Sequence, residues 1–284
     1  MTQSLAGKSA IITGAAGGFG RVITRAFLET GAAVTACDVD ERGLDALAND
    51  LAEADLSRGF VKRVLNISDH AACAATIDSS VEHFGSIDIL INNGAVGMQA
   101  LRADHMTNLV GIDELTPEIW DKFVGVNFSG AWYLTRAAYP HMMAKSWGRI
   151  INVTTSFFTM LRGRFHPYGP VKAGLEAMSA GHAAEFEPDG ITVNVVVPGG
   201  PSNTAMVPQE APYARSDLIP TAKMVPPILW LCSDAAQDVT GNRYIAAQWD
   251  DTRPIAEARS ASEAPIAWPD LAGSPVWPGG KPKQ

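Results

Sequence analysis

Cysteine is scarce in this chain: only Cys37, Cys73 and Cys232 occur, an odd number at spacings unlike those of metal ligands. That excludes a disulfide framework and a zinc-ribbon type of site, and fits incidental thiols in a reducing compartment. Positive charge is also short. Twenty-two lysines and arginines stand against 30 aspartates and glutamates, a net charge of −8, which argues against nucleic acid as a partner. No apolar run approaches the roughly 20 residues that a membrane-spanning helix needs. The opening Met1-Thr2-Gln3-Ser4 lacks the charged and apolar regions of a signal peptide. The expectation is a cytoplasmic protein with no metal, no membrane partner and no nucleic acid. No internal repeat or low-complexity block is visible.

What is present is enough apolar material, 46% of 284 residues, to bury one substantial core. Strands are expected at about 9–13, 33–38, 60–65, 87–91, 148–154, 191–197 and 243–246. Helices are expected between them at about 19–30, 42–53, 69–84, 116–144, 167–187 and 222–233. Such alternation predicts an α/β fold: a single-domain, doubly wound parallel sheet of about seven strands, Rossmann-like, with ligands at the carboxyl ends of the strands.

Three motifs occupy those ends. The first is Thr13-Gly14-Ala15-Ala16-Gly17-Gly18-Phe19-Gly20, between an apolar strand and an amphipathic helix. Glycines there let the backbone approach a pyrophosphate, and a helix N-terminus offers unpaired N–H groups to its charge. The second is Asp38, ending the next strand 18 residues beyond Gly20. A carboxylate at that place accepts hydrogen bonds from ribose hydroxyls and repels a 2′-phosphate. Positions 17 and 39 are Gly and Val, so neither supplies a cation for such a phosphate. The expected cofactor is NAD. The third is Tyr168 and Lys172, one helical turn apart. An ammonium one turn from a phenol favours the phenolate, a pair suited to exchanging a proton between alcohol and carbonyl.

With these motifs in this order, residues 5–250 resemble the short-chain dehydrogenase/reductase family. The resemblance implies cofactor-binding roles for Gly14, Gly18, Phe19, Gly20, Asp38, Asn66 and Ile67. It extends them to Asn93 and Gly94 in Asn92-Asn93-Gly94-Ala95, and to Pro198, Gly199, Thr204, Tyr168 and Lys172. Asn66 stands where the family usually has an aspartate facing the adenine amino group, and an amide oxygen can accept the same hydrogen bond. Asn127 matches the asparagine that, in the family, orders a water linking the lysine to solvent. The family places a serine 13 residues before the tyrosine. That position here is Thr155, followed by Ser156. Either hydroxyl could polarise the substrate oxygen, and the ungapped alignment favours Thr155. By the same resemblance the chain is expected to form a homotetramer or homodimer, through the helices at about 116–144 and 167–187.

Three segments exceed what the fold requires. The stretch before Tyr168 carries Phe157, Phe158, Met160, Arg162, Arg164, Phe165 and His166. It reads as core packing with solvated arginines, or as an apolar wall whose Arg162, Arg164 and His166 meet an anionic group on the substrate. Residues 96–113 read as a solvated insertion or a lid. Residues 251–284 form an extension beyond the dehydrogenase domain of residues 1–250. This extension is rich in proline and contains Trp268 and Trp277. Its tryptophans are too apolar for a freely solvated tail, so docking onto the body or a second subunit is expected.

The resulting expectation is an NAD-dependent oxidoreductase interconverting a small secondary alcohol (a polyol, sugar, hydroxy acid or cyclic alcohol) and its carbonyl. Tyr168 would be the acid/base, Thr155 or Ser156 the oxygen ligand, and Lys172 and Asn127 its supports. Two rivals stay open: an epimerase or lyase that retains NAD on the same scaffold, and a catalytically silent NAD-binding assembly protein.

Overall fold

A computed structural model describes residues 4–271. Its centre is a strand whose every residue is buried, β1 (Ser9–Thr13). The apolar residues of β1 divide between two faces. Ala10 and Ile12 enter one hydrophobic cluster, and Ile11 enters another. Alternate residues of a strand face opposite ways, so an unbroken apolar run marks a strand covered on both sides.

Seven strands run parallel: β1, β2 (Ala33–Asp38), β3 (Phe60–Val64), β4 (Ile89–Asn92), β5 (Gly148–Val153), β6 (Ile191–Val197) and β7 (Asn242–Ile245). An eighth, β8 (Glu263–Pro265), joins β7 antiparallel, with Arg243 opposite Ala264. The order is β3-β2-β1-β4-β5-β6-β7-β8. The chain reverses direction across the sheet between β1 and β4, which opens a crevice at their carboxyl ends. The expected parallel sheet of about seven strands is present, and among the described residues the extension adds an antiparallel eighth.

Helices α1 (Gly18–Glu29) and α2 (Glu41–Glu53) cover one face of the sheet, and α3 (His70–Phe84) covers the other. Asp40 and Asp69 cap α2 and α3 by accepting backbone N–H bonds, which satisfies donors at the first turn. The helix expected at about 116–144 is not continuous. It consists of α4 (Pro117–Val124), a wide π turn over Gly125–Ser129 and α5 (Gly130–Met143). Close packing constrains this region: a Cβ on Gly130 would lie 2.8 Å from the Ile67 carbonyl oxygen.

A short helix, α6 (Phe157–Leu161), precedes the long α7 (Tyr168–Phe186), and α8 (Val225–Leu231) returns to the α1 face. The extension begins after Trp249, which is buried against Trp230 and Tyr244 at ring distances of 5.4 and 6.0 Å. Pro254 then precedes α9 (Ile255–Ser262), where a proline at a helix start costs nothing. The described part of the extension, residues 251–271, is docked. Tyr244 donates to Glu263 at 2.8 Å, Arg259 pairs with Glu263, Ile266 is buried, and Trp268 lies 5.8 Å from the Phe157 ring. Trp277 lies outside the described residues. Among the described residues, no helix is long and apolar enough to cross a membrane.

Candidate active site

The glycine turn is knitted to the end of β4 by the Thr13 side chain. Its hydroxyl accepts from the Asn93 and Gly94 N–H groups at 3.0 and 2.8 Å, and the Asn93 amide donates to the Thr13 carbonyl at 2.8 Å. Gly14 takes φ +64°, and a Cβ on it would lie 2.9 Å from Gly94 Cα. At Gly20 a Cβ would lie 2.0 Å from the Gly14 carbonyl oxygen, so only glycine permits this turn to meet α1. Gly17 stands at the N-cap of α1 without a side-chain cap, and no acidic residue occupies the first turn. The helix thus presents free N–H groups and a positive dipole end, a fit for a pyrophosphate. Thr204 closes over this point: its methyl group would lie 2.8 Å from a Cβ on Gly18.

Asp38 reaches the same turn, accepting from the Ala16 N–H at 3.0 Å and from the Asp40 N–H at 3.1 Å. The nearby Arg21 is committed to Asp50 and to the Gly43 carbonyl. Beyond β3, Asn66 departs from expectation. Its amide oxygen accepts from both the N–H and the hydroxyl of Ser68, so the oxygen expected to meet an adenine amino group is already engaged. Ile67, adjoining it, is buried beneath Gly130. Pro198 and Gly199 follow β6. There Gly199 has φ +105° and is held tightly, since a Cβ would lie 2.9 Å from Ala247 and Ile245.

Tyr168 opens α7, and its phenol faces the Thr155 hydroxyl, which acts to lower its pKa. Ser156 is turned elsewhere. Its oxygen caps α6, accepting from the Thr159 N–H at 3.1 Å and pairing with the Thr159 hydroxyl at 2.9 Å. Of the two candidate hydroxyls, Thr155 is the one brought to the tyrosine.

Lys172 is fully buried and donates from Nζ to the Val153 carbonyl at 2.7 Å, lying 6.0 Å from the centre of the Tyr168 ring. Burial lowers its pKa to about 8. Burial also pushes Tyr168 up to about 12, with the Thr155 hydroxyl acting the other way. This runs opposite to the expectation of a phenol depressed by its neighbour: loss of water is the largest influence on both groups.

Asn127 sits in the π turn, buried, with both ends of its amide used. Nδ2 donates to the Val96 carbonyl at 2.8 Å, and Oδ1 accepts from the Val96 N–H at 2.7 Å.

Residues 96–113 pack rather than float. Met98 and Val110 are buried with Phe123 and Val171, and Phe165 and Tyr168 lie against the same cluster. The three proposed substrate residues do not form one cationic end. Arg162 lies over the Phe165 ring at 5.0 Å, and that ring meets Tyr168 edge-on at 6.2 Å. Arg164 is exposed, with its charge felt by Glu114. His166 is half-buried before Pro167. Phe157, expected as a wall, is covered by Arg243 at 4.0 Å and by Trp268.

Three residues here were not foreseen from the sequence: Val96, Glu176 and Arg243. Glu176 follows Lys172 by four residues on α7, a signal of shared helix face that spacing alone could have revealed.

A model of the short chain dehydrogenase family matches residues 8–213. The 3-oxoacyl-[acyl-carrier-protein] reductase FabG of Thermotoga maritima is 32% identical over 84% of this chain and 95% of its own length. The 2,5-dichloro-2,5-cyclohexadiene-1,4-diol dehydrogenase LinX of Sphingobium indicum is 31% identical over 85% and 95%. Among solved structures, carveol dehydrogenase from Mycobacterium avium in complex with NAD superposes with a TM-score of 0.72. It is 25% identical, over 84% of this chain and 95% of that one. The chain belongs to the short chain dehydrogenase family, as an oxidoreductase that uses a nicotinamide dinucleotide and a small-molecule substrate.

Proposed function

We propose that this member of the family is an NAD-dependent dehydrogenase that interconverts a small secondary alcohol and its carbonyl. The observation that carries this reading is the Thr155 hydroxyl beside the Tyr168 phenol, with Lys172 one helical turn further along α7. Two hydroxyls are thereby paired in one place, able to hold a single substrate oxygen between them.

Bound dinucleotide supplies the hydride acceptor for oxidation and the hydride donor for reduction. In the oxidative direction Tyr168 takes the alcohol proton, and in reduction it returns a proton to the carbonyl oxygen. Thr155 donates to that oxygen as negative charge develops on it. The Lys172 ammonium has three N–H donors. One is spent on Val153, leaving two for a ribose hydroxyl and a relay water near Asn127.

Asp38 favours NAD over NADP, because its carboxylate stands where a 2′-phosphate would bring like charge. Arg21, tied to Asp50, is not free to answer that phosphate. Apolar packing of Val96, Leu101 and Phe165 around Tyr168 favours a compact substrate with hydrocarbon beside the carbinol carbon.

A homotetramer, or a dimer, belongs to this reading. On α7 the small residues Ala177, Gly181 and Ala184 are exposed, and on α5 so is Trp132, a surface that admits close helix approach. A monomer mass by light scattering at micromolar concentration would contradict it.

The function is tested by following absorbance at 340 nm with NAD and a panel of polyols, hydroxy acids and cyclic alcohols. The proposal requires NADH from at least one class. An epimerase or lyase would convert substrate without net absorbance change, and a silent protein would bind NAD and convert nothing.

A further inference from the structure

The end of β5 is gripped residue by residue by charged side chains. Lys172 Nζ donates to the Val153 carbonyl at 2.7 Å, Thr154 Oγ1 donates to Glu176 Oε2 at 2.7 Å, and Arg243 Nη2 donates to the Thr155 carbonyl at 3.0 Å. Arg243 Nε closes the set by donating to Glu176 Oε1 at 2.9 Å. Glu176 is 0% exposed and Arg243 is 4% exposed. A buried ion pair is costly to desolvate and is a poor source of stability compared with an apolar pair of the same size. Its geometry has another use: the planar fork of one guanidinium spans a carboxylate and a carbonyl at once.

The same pair touches the extension. The Ala267 N–H reaches Glu176 Oε1 at 3.3 Å, and the Phe157 ring touches both the Arg243 guanidinium, at 4.0 Å, and the Trp268 ring, at 5.8 Å. Ala267 holds φ +62°, a left-handed conformation that a non-glycine residue adopts only when its surroundings impose it. Arg243 itself lies in β7, paired with Ala264 of β8.

We infer that Arg243 and Glu176 are positioning residues that fix the Thr155 hydroxyl against Tyr168 and make this placement depend on docking of residues 263–268. The inference rests on the reading of Thr155 and Tyr168 given above. Neither Arg243 nor Glu176 exchanges a proton with substrate. Arg243 acts through the Thr155 backbone, and Glu176 acts through Arg243 and the Thr154 hydroxyl.

The test is a double-mutant cycle between Arg243→Lys and Thr155→Val, measured as kcat together with Kd for NAD and thermal midpoint. Lysine keeps the charge beside Glu176 but cannot bridge to the Thr155 carbonyl as well. In the wild-type background Arg243→Lys is expected to lower kcat about tenfold with unchanged NAD affinity. In the Thr155→Val background it is expected to change kcat less than about twofold, because there is no hydroxyl left to position. Moving the Thr155 hydroxyl away from Tyr168 also shifts the acid limb of the alcohol-oxidation profile upward, a change that loosened packing alone does not produce. Equal falls in both backgrounds, or wild-type kcat and pH profile in Arg243→Lys, would overturn the inference. Failure of Thr155→Val itself to lower kcat would overturn the underlying reading instead. If Arg243→Lys does not fold, Trp268→Ala reads the same coupling from the extension. It should lower kcat in the wild-type background and leave it unchanged beside Thr155→Val.

Discussion

Lys172 donates to the Val153 carbonyl at 2.7 Å from a position only 2% exposed, so an ammonium is anchored to the end of β5 inside the protein. Its pKa falls from 10.5 to about 8. A lowered lysine pKa means that the unfolded chain binds the proton more tightly. The penalty is fully present below about pH 8 and fades as pH rises towards 10.5. Lys172→Met is therefore expected to raise the thermal midpoint at pH 7, by a margin that shrinks above pH 9, while removing nearly all turnover and weakening NAD binding. Calorimetry across that pH range checks the stability, and a destabilised variant at pH 7 contradicts it.

Thr155 and Ser156 differ in what their oxygens already do. Thr155→Val is expected to lower kcat by about a hundredfold with little effect on stability, since it removes one donor to the substrate oxygen. Ser156→Ala removes the cap of α6, which costs about 1 kcal/mol of stability, and it should change kcat far less. Steady-state kinetics of the two variants side by side decide the matter. A larger fall in Ser156→Ala would reverse the assignment.

Asp38 should make kcat/KM for NAD exceed that for NADP by on the order of a hundredfold. Asp38→Ser should narrow the gap. It should also weaken both dinucleotides somewhat, because the Ala16 N–H loses its acceptor. Comparable efficiency with the two cofactors in the wild type would sink this prediction.

Truncation after Asp250 removes β8, the buried Ile266 and the contacts of Arg259 with Trp230 and Glu263. Burial of that apolar surface contributes several kcal/mol at about 25 cal/mol per Å2. The truncated protein should melt roughly 10 °C lower and turn over more slowly. An unchanged midpoint and unchanged kinetics would leave the extension without a role.

Much of this architecture was legible because buried parallel strands announce themselves locally. Ser9 to Thr13 and Ile191 to Val197 are runs rich in β-branched residues, bounded by Lys8 and Gly14 and by Gly190 and Pro198, and both strands form over those residues. The glycine turn, Asp38 and the Tyr168–Lys172 pair were legible for the same reason: their chemistry is written in spacings of a few residues. The π turn was not, because Gly125 to Gly130 reads as ordinary helix and Asn127 takes its partner from Val96, 31 residues earlier. Nor was β8, since Glu263-Ala264-Pro265 has little intrinsic preference for a strand and is placed by Tyr244 and Ile266. The Glu176 pairing was not legible either, since its partner Arg243 is 67 residues away. The choice between Thr155 and Ser156 turned on the unforeseen helix α6, whose cap consumes the serine.

Tyr168 carries the central claim, and its phenol, raised to about 12 by burial, gives the sign of the test. Oxidation needs the phenolate, so NAD-linked alcohol oxidation should accelerate as pH rises from 7 to 10, and carbonyl reduction should slow over the same range. The most direct measurement is therefore the pH dependence of kcat for NADH formation at 340 nm, in the wild type and in Tyr168→Phe. The account predicts a rate that climbs with pH in the wild type. It predicts a loss of at least about a thousandfold in Tyr168→Phe, with NAD affinity nearly unchanged. A Tyr168→Phe enzyme that keeps most of its rate and the same pH dependence would contradict it.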